Sequence, residues 1–286
     1  MKVAIFGDTG GHYVGLRKAL DELTEADRVT LKPDIHVVHL GDLVHRGPDS
    51  DGVIELVGDL MEANPGRWTQ IVGNHEAMHL EMGVGRFFRC NCSNATIETL
   101  RAWWRDDRLV PAAAIIDVEP RFWTAGRRPA GQESMVNDLL CVHGGLTWSF
   151  WSQELERPET ALDAALALRV TADKKLAKEG LMTGDSYGTP GPIWATAAEE
   201  VLLSWKSEPM PFSQAVGHTT PYSHDRQTWR PSITREMRHC GKGVPGERRA
   251  VLFGNGGLIL CQDPGYGVKP VLDSQPYLLL DALYVI

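Results

Sequence analysis

Short apolar runs alternate with stretches of helical periodicity through the first quarter of the chain. The runs Val3–Phe6, Ile35–Leu40 and Trp68–Val72 are each followed by a glycine, as expected for buried strands that lead into loops. Between them, His12–Leu23 and Val53–Met61 carry apolar residues at helical spacing. This alternation predicts an α/β domain whose functional site lies at the carboxyl ends of the strands.

The rest of the chain is less regular. Further strands are predicted at 112–118, 121–125, 139–142, 214–216, 250–253, 258–261 and 277–280, and further helices at 97–104, 158–178 and 197–205. The polar, basic segment 226–249 is either a loop over a site or a solvated insertion. Because no internal repeat, low-complexity tract or linker divides the sequence, we expect one domain over residues 1–286.

Composition narrows the classes of function. The chain has 286 residues and a formal net charge of −8, which argues against broad, nonspecific nucleic-acid binding. Its five cysteines are odd in number and do not predict a disulfide framework. Cys90 and Cys92 could form half a zinc site, but their spacing is C-x-C and no second pair of cysteines follows, so reduced structural thiols are the favoured interpretation. No signal segment or membrane-length apolar run is present, so we expect a cytoplasmic protein.

Residues that can bind metals follow five of the strand-like runs. They are Asp8 (with His12 nearby), Asp42, Asn74 with His75, His143 and His218. Any one of them alone is typical of a turn or of a structural hydrogen bond, whereas the joint pattern indicates a metal centre. Carboxylate, amide oxygen and imidazole together suit Mn, Fe, Zn or Ni better than an ion that prefers oxygen ligands only.

The blocks around these residues resemble the calcineurin-like metallophosphoesterases, in particular the branch of phosphoprotein phosphatases and diadenosine tetraphosphatases. The resemblance rests on Gly7-Asp8, Gly41-Asp42-Leu43-Val44-His45-Arg46-Gly47, Gly73-Asn74-His75-Glu76, Val142-His143-Gly144-Gly145-Leu146 and Gly217-His218-Thr219. Weaker similarity covers 109–116, 191–194 and 262–265. The resemblance implies a four-layer α/β/β/α sandwich with two mixed β-sheets.

It also implies a reaction. Two divalent metal ions, with Mn the first expectation, would be held by Asp8, His12, Asp42, Asn74, His143 and His218, with Asp42 bridging the pair. Metal-bridging hydroxide would attack the phosphorus of a phosphomonoester, in a phosphoserine or phosphothreonine or in a nucleotide. His75 would protonate the leaving oxygen and Arg46 would bind the phosphoryl oxygens. The alternatives are a dinucleoside polyphosphate hydrolase and a noncatalytic phosphate- or nucleotide-binding protein. No membrane or stable nucleic-acid partner is expected.

The sequence departs from the family pattern at the first two blocks. Where the family has the histidine of Asp-x-His, this chain has Gly10, and we expect the flexible Gly10-Gly11 pair to let His12 take over as a ligand. The alternative is that His12 only begins the next helix. Where the family has an aspartate that orients the catalytic imidazole, this chain has His45. That ring is either an acid or phosphate contact itself, or it leaves the orienting role to Asp49 or Asp51.

A third departure concerns the phosphate-binding arginine that many relatives have after the Pro-x-Trp loop. Ala195 and Thr196 occupy that place here. Arg226, Arg230 or Arg235, from the basic segment, are the candidates to replace it.

Overall fold

A computed structural model of the chain describes residues 1–80, 91–118, 138–175, 191–223, 228–231, 233–234, 238–240, 250–253, 255–264 and 277–286. The strand predicted at 121–125 lies outside the described residues, as do Cys90, Arg226 and Arg235.

Five strands form the first sheet. They are β1 (Lys2–Phe6), β2 (Ile35–His39), β3 (Trp68–Ile71), β4 (Leu109–Val110) and β13 (Tyr277–Asp281), in the order β13-β1-β2-β3-β4. The four from β1 to β4 are parallel, and β13 runs antiparallel to β1 at the edge. The parallel order brings the loops after β1, β2 and β3 to one edge of the sheet.

Seven strands form the second sheet. They are β5 (Ala113–Ile116), β6 (Leu139–Cys141), β7 (Ser213–Val216), β10 (Arg238–Cys240), β11 (Ala250–Phe253), β12 (Leu258–Cys261) and β14 (Tyr284–Val285), in the order β10-β11-β12-β7-β6-β5-β14. The neighbours β12, β7 and β6 are parallel and the other pairs are antiparallel. A separate ribbon joins β8 (Tyr222–Ser223) to β9 (Thr228–Trp229). Both large sheets are therefore mixed.

The helices lie on the outer faces. They are α1 (Tyr13–Leu20), α2 (Ser50–Ala63), α3 (Asn74–Ala77), α4 (Asn94–Arg105), α5 (Trp148–Gln153), α6 (Ala161–Lys175) and α7 (Leu202–Ser204), the last preceded by a π-helical turn at Ala197–Val201. Asp49 caps α2 by accepting a hydrogen bond from the Gly52 amide at 2.8 Å. No helix among the described residues has the length and apolar character needed to cross a membrane.

Alternate residues of the central strands face two different hydrophobic layers. In β1, Val3 and Ile5 join one buried cluster, while Ala4 and Phe6 join the other. The first cluster also contains Leu139 and Leu260 of the second sheet, so it is the core between the sheets. The second contains the apolar faces of the helices. The predicted α/β architecture with two mixed sheets and flanking helices is confirmed.

Candidate metal centre

Four of the predicted ligands meet where the two sheets bring their strand ends together. His143 Nε2 lies 3.3 Å from Asp42 Oδ1 and 2.9 Å from Asn74 Oδ1. His218 Nδ1 lies 3.0 Å from the same Asn74 oxygen. The candidate ligand atoms of Asp42, His143 and His218 all lie within 4.8 Å of one another. The topology therefore assembles side chains that are up to 176 positions apart (218 − 42) in the sequence.

The orientation of these groups fits a bound cation. His143 Nδ1 lies 2.7 Å from the Leu40 carbonyl, which can only accept, so Nδ1 carries a proton and the lone pair of neutral His143 is on Nε2. His218 similarly makes a hydrogen bond with the Trp194 backbone. Asn74 Oδ1 faces acceptor atoms, and rotating the amide by a half turn would give hydrogen bonds instead. With Oδ1 inward, lone pairs converge on one point, an arrangement that a metal ion stabilises.

Two further carboxylates, those of Asp8 and Asp263, lie beside Asp42 in this cluster. Burial raises the pKa of Asp8 well above its usual value, and the charges of Asp263 and Asp42 raise it further, against the opposing effects of His143 and the His218 amide. Asp8 Oδ1 accepts a hydrogen bond from that amide at 2.9 Å. Buried like charges repel strongly unless a cation offsets them. Asp8, Asp42 and Asp263 thus extend the acidic side of the centre.

The charge balance at Asp42 and His143 shows how strongly this pocket favours positive charge. Burial raises the pKa of Asp42, but His143 and His75 more than offset burial and lower it. Burial lowers the pKa of His143, yet Asp42 and Asp8 outweigh burial and raise it to about 10. The lone pair that attracts a proton so strongly is that of His143 Nε2, which faces Asp42. A nitrogen in this position is suited to bind a metal ion.

Several of the site residues have strained backbone. Asp42, His45, Arg46 and His218 have φ values of 55°, 68°, 62° and 60°. A non-glycine residue in this left-handed region costs on the order of 1–3 kcal/mol and persists only where its surroundings enforce it. Such strain concentrates at functional sites, and here Asp42 and His218, from two different loops, both belong to the group that could hold a metal ion.

Glu76 enforces the geometry of the loop after β2. Its buried carboxylate accepts hydrogen bonds from the amides of Asp42 and Leu43, both at 2.8 Å, and of Gly73 at 2.9 Å. A longer contact of 3.3 Å joins it to the amide of Val44. In the structure, Glu76 clamps the Asp42 loop to the start of α3.

The predicted proton donor belongs to a row of three imidazoles. His75 Nε2 lies 3.7 Å from Asp42 Oδ2, and its Nδ1 lies 2.8 Å from His45 Nδ1. His45 Nε2 lies 2.9 Å from His79 Nε2. All three histidines are buried. Sequence reasoning missed His79, although its four-residue spacing from His75 was a usable signal.

The two aspartates considered as substitutes for His45 have other partners. Asp49 caps α2, and Asp51 accepts hydrogen bonds from the Ser93 amide and the Thr96 hydroxyl. His45 itself makes the contact with His75.

Arg46 is exposed. Its positive charge lowers the pKa of both His45 and His75, so the guanidinium group lies on the same side of the centre as these two rings. Arg230 forms a salt bridge with Glu199 at 3.0 Å. Arg226, Arg230 and Arg235 are the candidates for the missing phosphate-binding arginine, and of these only Arg230 lies within the described residues. Its guanidinium group is already paired with Glu199.

His12 is the predicted ligand that follows the glycine turn after β1. Gly10 and Gly11 have φ values of 54° and 71°, as expected for a turn that only glycine adopts easily, and Gly10 donates to the Asp42 carbonyl at 2.7 Å. His12 then stands directly before α1, half-buried, with its pKa lowered by burial. Among the described residues, His12 and Asp8 belong to neither group of three or more side chains that could hold a metal ion. The ligand role of His12 stays a prediction.

Comparisons with known proteins agree with this architecture. A model of the family described as calcineurin-like phosphoesterase matches residues 1–246. The cold-active protein-tyrosine phosphatase of the psychrophile Shewanella sp. superposes with a TM-score of 0.55 at 18% identity, over 97% of this chain and 74% of that chain. Another structure of a cold-active protein tyrosine phosphatase gives a TM-score of 0.51 at 20% identity, over 97% and 73%. At these identities the structural likeness shows the fold alone.

Proposed function

The chain belongs to the calcineurin-like phosphoesterase family, and we propose that it hydrolyses phosphomonoesters at a centre of two divalent metal ions that share Asp42. Members of this family are metal-dependent hydrolases of phosphate esters. The observation that carries the proposal is the convergence of Asp42, Asn74, His143 and His218, whose lone pairs are directed at one another. We further propose that residues 1–286 act as a single domain.

Two groups of ligands are proposed around the shared carboxylate. Asn74, His143 and His218 would hold one ion. Asp8 would hold the other, with His12 as the predicted partner and Asp263 as an addition that the structure suggests through its charge effect on Asp8. Mn²⁺ is the first expectation, with Fe, Zn and Ni as alternatives. When bound, such a pair of ions polarises a phosphoryl group and makes a nucleophile available from water at neutral pH.

The remaining residues are assigned to the substrate. His75 is directed towards Asp42 through Nε2, so this nitrogen is the one that would protonate the leaving oxygen. Arg46 would bind phosphoryl oxygens with its guanidinium fork. The exposure of Arg46 supports contact with a substrate that arrives from solvent. These assignments place the proton donor and the phosphoryl clamp on neighbouring loops.

The test compares two Asp-to-Asn variants in the hydrolysis of an aryl phosphate with Mn²⁺. Asp42→Asn removes the shared charge and is expected to lower kcat/KM by about 10³-fold, which corresponds to several kcal/mol of transition-state stabilisation. Asp34→Asn is the control, because Asp34 is an exposed carboxylate that pairs with Lys2 at 3.6 Å. Full activity in Asp42→Asn would exclude the shared-ligand assignment. Parallel assays with a dinucleoside polyphosphate decide between the two substrate classes.

A further inference from the structure

A second group of metal-binding side chains lies on the far side of His45 from His75. One ring nitrogen of His45, one of His79 and the sulfur of Cys92 all lie within 4.8 Å of one another. The proposed phosphoesterase centre uses neither His79 nor Cys92. We propose that these three residues bind a zinc ion, separate from the ions at Asp42.

The spacing requires only a small adjustment. His45 Nε2 and His79 Nε2 are 2.9 Å apart, a hydrogen-bond distance. Two nitrogens bound to a tetrahedral zinc ion at 2.0–2.1 Å stand about 3.3 Å apart, so the rings need to separate by only a few tenths of an ångström. Three protein ligands leave a fourth position for water, as in zinc sites that are not closed.

Hydrogen bonds fix Cys92 against the loop that carries His45. On one side of the cysteine, Asn91 donates to the Gly47 carbonyl at 2.9 Å and accepts from the Ser50 hydroxyl at 2.9 Å. That hydroxyl in turn accepts from the His45 amide at 2.9 Å. On the other side, the Ser93 amide donates to Asp51 at 2.9 Å. The thiol is thereby held next to His45 from both directions.

Hydrogen bonds also hold the backbone of His79 in place. Its carbonyl accepts a hydrogen bond from Arg101 Nε at 3.0 Å, and its amide donates to the Glu76 carbonyl at 2.8 Å. His45 and His79 are 2% and 3% exposed, while Cys92 is half-buried. The site is therefore positioned by hydrogen bonds, and Cys92 is the most accessible of its three ligands.

The ligand chemistry distinguishes this site from the centre at Asp42. One thiolate and two imidazoles favour zinc, whereas the two imidazoles of the centre at Asp42 are joined by carboxylates and an amide oxygen, which also suit Mn²⁺. Binding converts the Cys92 thiol to a thiolate and releases its proton to solvent. The two neighbouring sites would thus differ in the metal ion that they prefer.

A metal ion on His45 Nε2 has a consequence for His75. It leaves the proton of His45 on Nδ1, so that Nδ1 donates to His75 Nδ1, 2.8 Å away. His75 then carries its own proton on Nε2, the nitrogen that faces Asp42. This step rests on the proposed role of His75, whereas the zinc site itself does not.

Cobalt substitution tests the site on the full chain. With Co²⁺, the wild type is expected to show a near-ultraviolet sulfur-to-cobalt charge-transfer band, and Asp42→Asn is expected to keep it. Cys92→Ser and His79→Gln are expected to lose the band, while Cys261→Ala, which removes a buried thiol of β12, is the control that retains it. A band that persists in Cys92→Ser, or that never develops in the wild type with excess Co²⁺, overturns the proposal.

A measurement without any variant covers the case in which the substitutions prevent folding. X-ray absorption of the wild type, loaded first with Mn²⁺ and then with one equivalent of zinc, is expected to show one sulfur scatterer at about 2.3 Å, and a spectrum with only nitrogen and oxygen scatterers overturns the proposal. If sulfur is detected but the aryl phosphate is not hydrolysed, the zinc site stands and the proposed function fails. If the aryl phosphate is hydrolysed but no sulfur scatterer is detected, the proposed function stands and the zinc site fails.

Discussion

His45 Nδ1 lies 2.8 Å from His75 Nδ1, so an imidazole occupies the place where the family resemblance implies a carboxylate. A neutral imidazole can donate or accept a hydrogen bond at this distance, but it supplies no fixed negative charge. Burial lowers the pKa of His75, and Arg46 and His143 lower it further, against the opposing effect of Asp42. The charge that would support a protonated His75 therefore comes from Asp42 alone among these groups.

The substitution His45→Asp is expected to extend activity to higher pH. A carboxylate beside His75 favours the imidazolium form and raises its pKa by about 1–3 units. An acid that must be protonated loses activity as the pH rises through its pKa, so a higher pKa moves the alkaline fall of kcat to higher pH. A kcat–pH profile measures this shift. His45→Gln, which adds no charge, is the control, and identical alkaline limbs in the two variants would contradict the prediction.

The clamp formed by Glu76 is expected to contribute strongly to stability. Glu76→Gln keeps the shape of the side chain but turns one of its two acceptor atoms into a donor that faces backbone N–H groups. We expect the free energy of unfolding to fall by about 2–4 kcal/mol, because the amide nitrogen of glutamine cannot accept and buried N–H donors lose their partner. Urea unfolding in the presence of a chelator isolates this effect from metal binding.

Glu98→Gln is the matched control for the clamp. Glu98 is exposed and pairs with Arg101 at 2.7 Å on the surface of α4. Exposed pairs contribute about 0–1 kcal/mol, so the control is expected to unfold almost as the wild type does. Equal losses of stability in the two variants would show that Glu76 has no special role.

Much of the fold could be predicted from apolar patterning, because buried strands leave a strong signal. The strands at 250–253 and 258–261 have the predicted bounds, and Trp68–Ile71 differs from its prediction by one residue. The two-residue strands Leu109–Val110 and Tyr284–Val285 were not identified as separate strands, since two residues carry no periodicity. Their pairing depends on neighbours that only the folded chain supplies.

The site was predictable where a short block carries its own signature. Asp42, Asn74, His143 and His218 come from such blocks, and the structure brings them together. His79 and Cys92 were not assigned to a common site because their meeting depends on hydrogen bonds between segments more than 40 positions apart, such as that from Asn91 to Gly47 at a separation of 44. Pairwise contacts of this kind leave no local pattern.

Gly7 and Gly58 should respond in opposite ways to alanine. A Cβ at Gly7 would collide with the Gln262 carbonyl, which belongs to the backbone and cannot rotate away. We expect Gly7→Ala to destabilise the protein by about 1–3 kcal/mol. A Cβ at Gly58, inside α2, would meet only Trp103 at an ordinary 3.4 Å, so Gly58→Ala should stabilise by about 0.4–1 kcal/mol. Thermal unfolding of both variants measures these two effects. An unchanged stability of Gly7→Ala would contradict the close packing of Gly7 on the turn before Asp263.

Because three carboxylates lie at the centre, a bound metal ion is expected to stabilise the folded protein. Asp263→Asn should reduce this gain in stability. In the wild type, Mn²⁺ at about 100 times its Kd adds about 2.7 kcal/mol, or roughly 5–10 °C in Tm for a chain of this size. Asp263 raises the pKa of Asp8 through repulsion, so its neutralisation should raise Tm in chelator and reduce the gain with Mn²⁺. Scanning calorimetry with and without Mn²⁺ measures both changes. Asp281→Asn, at an exposed position of β13, should leave both Tm values unchanged, and the same metal-induced shift in Asp263→Asn as in the wild type would remove Asp263 from the centre.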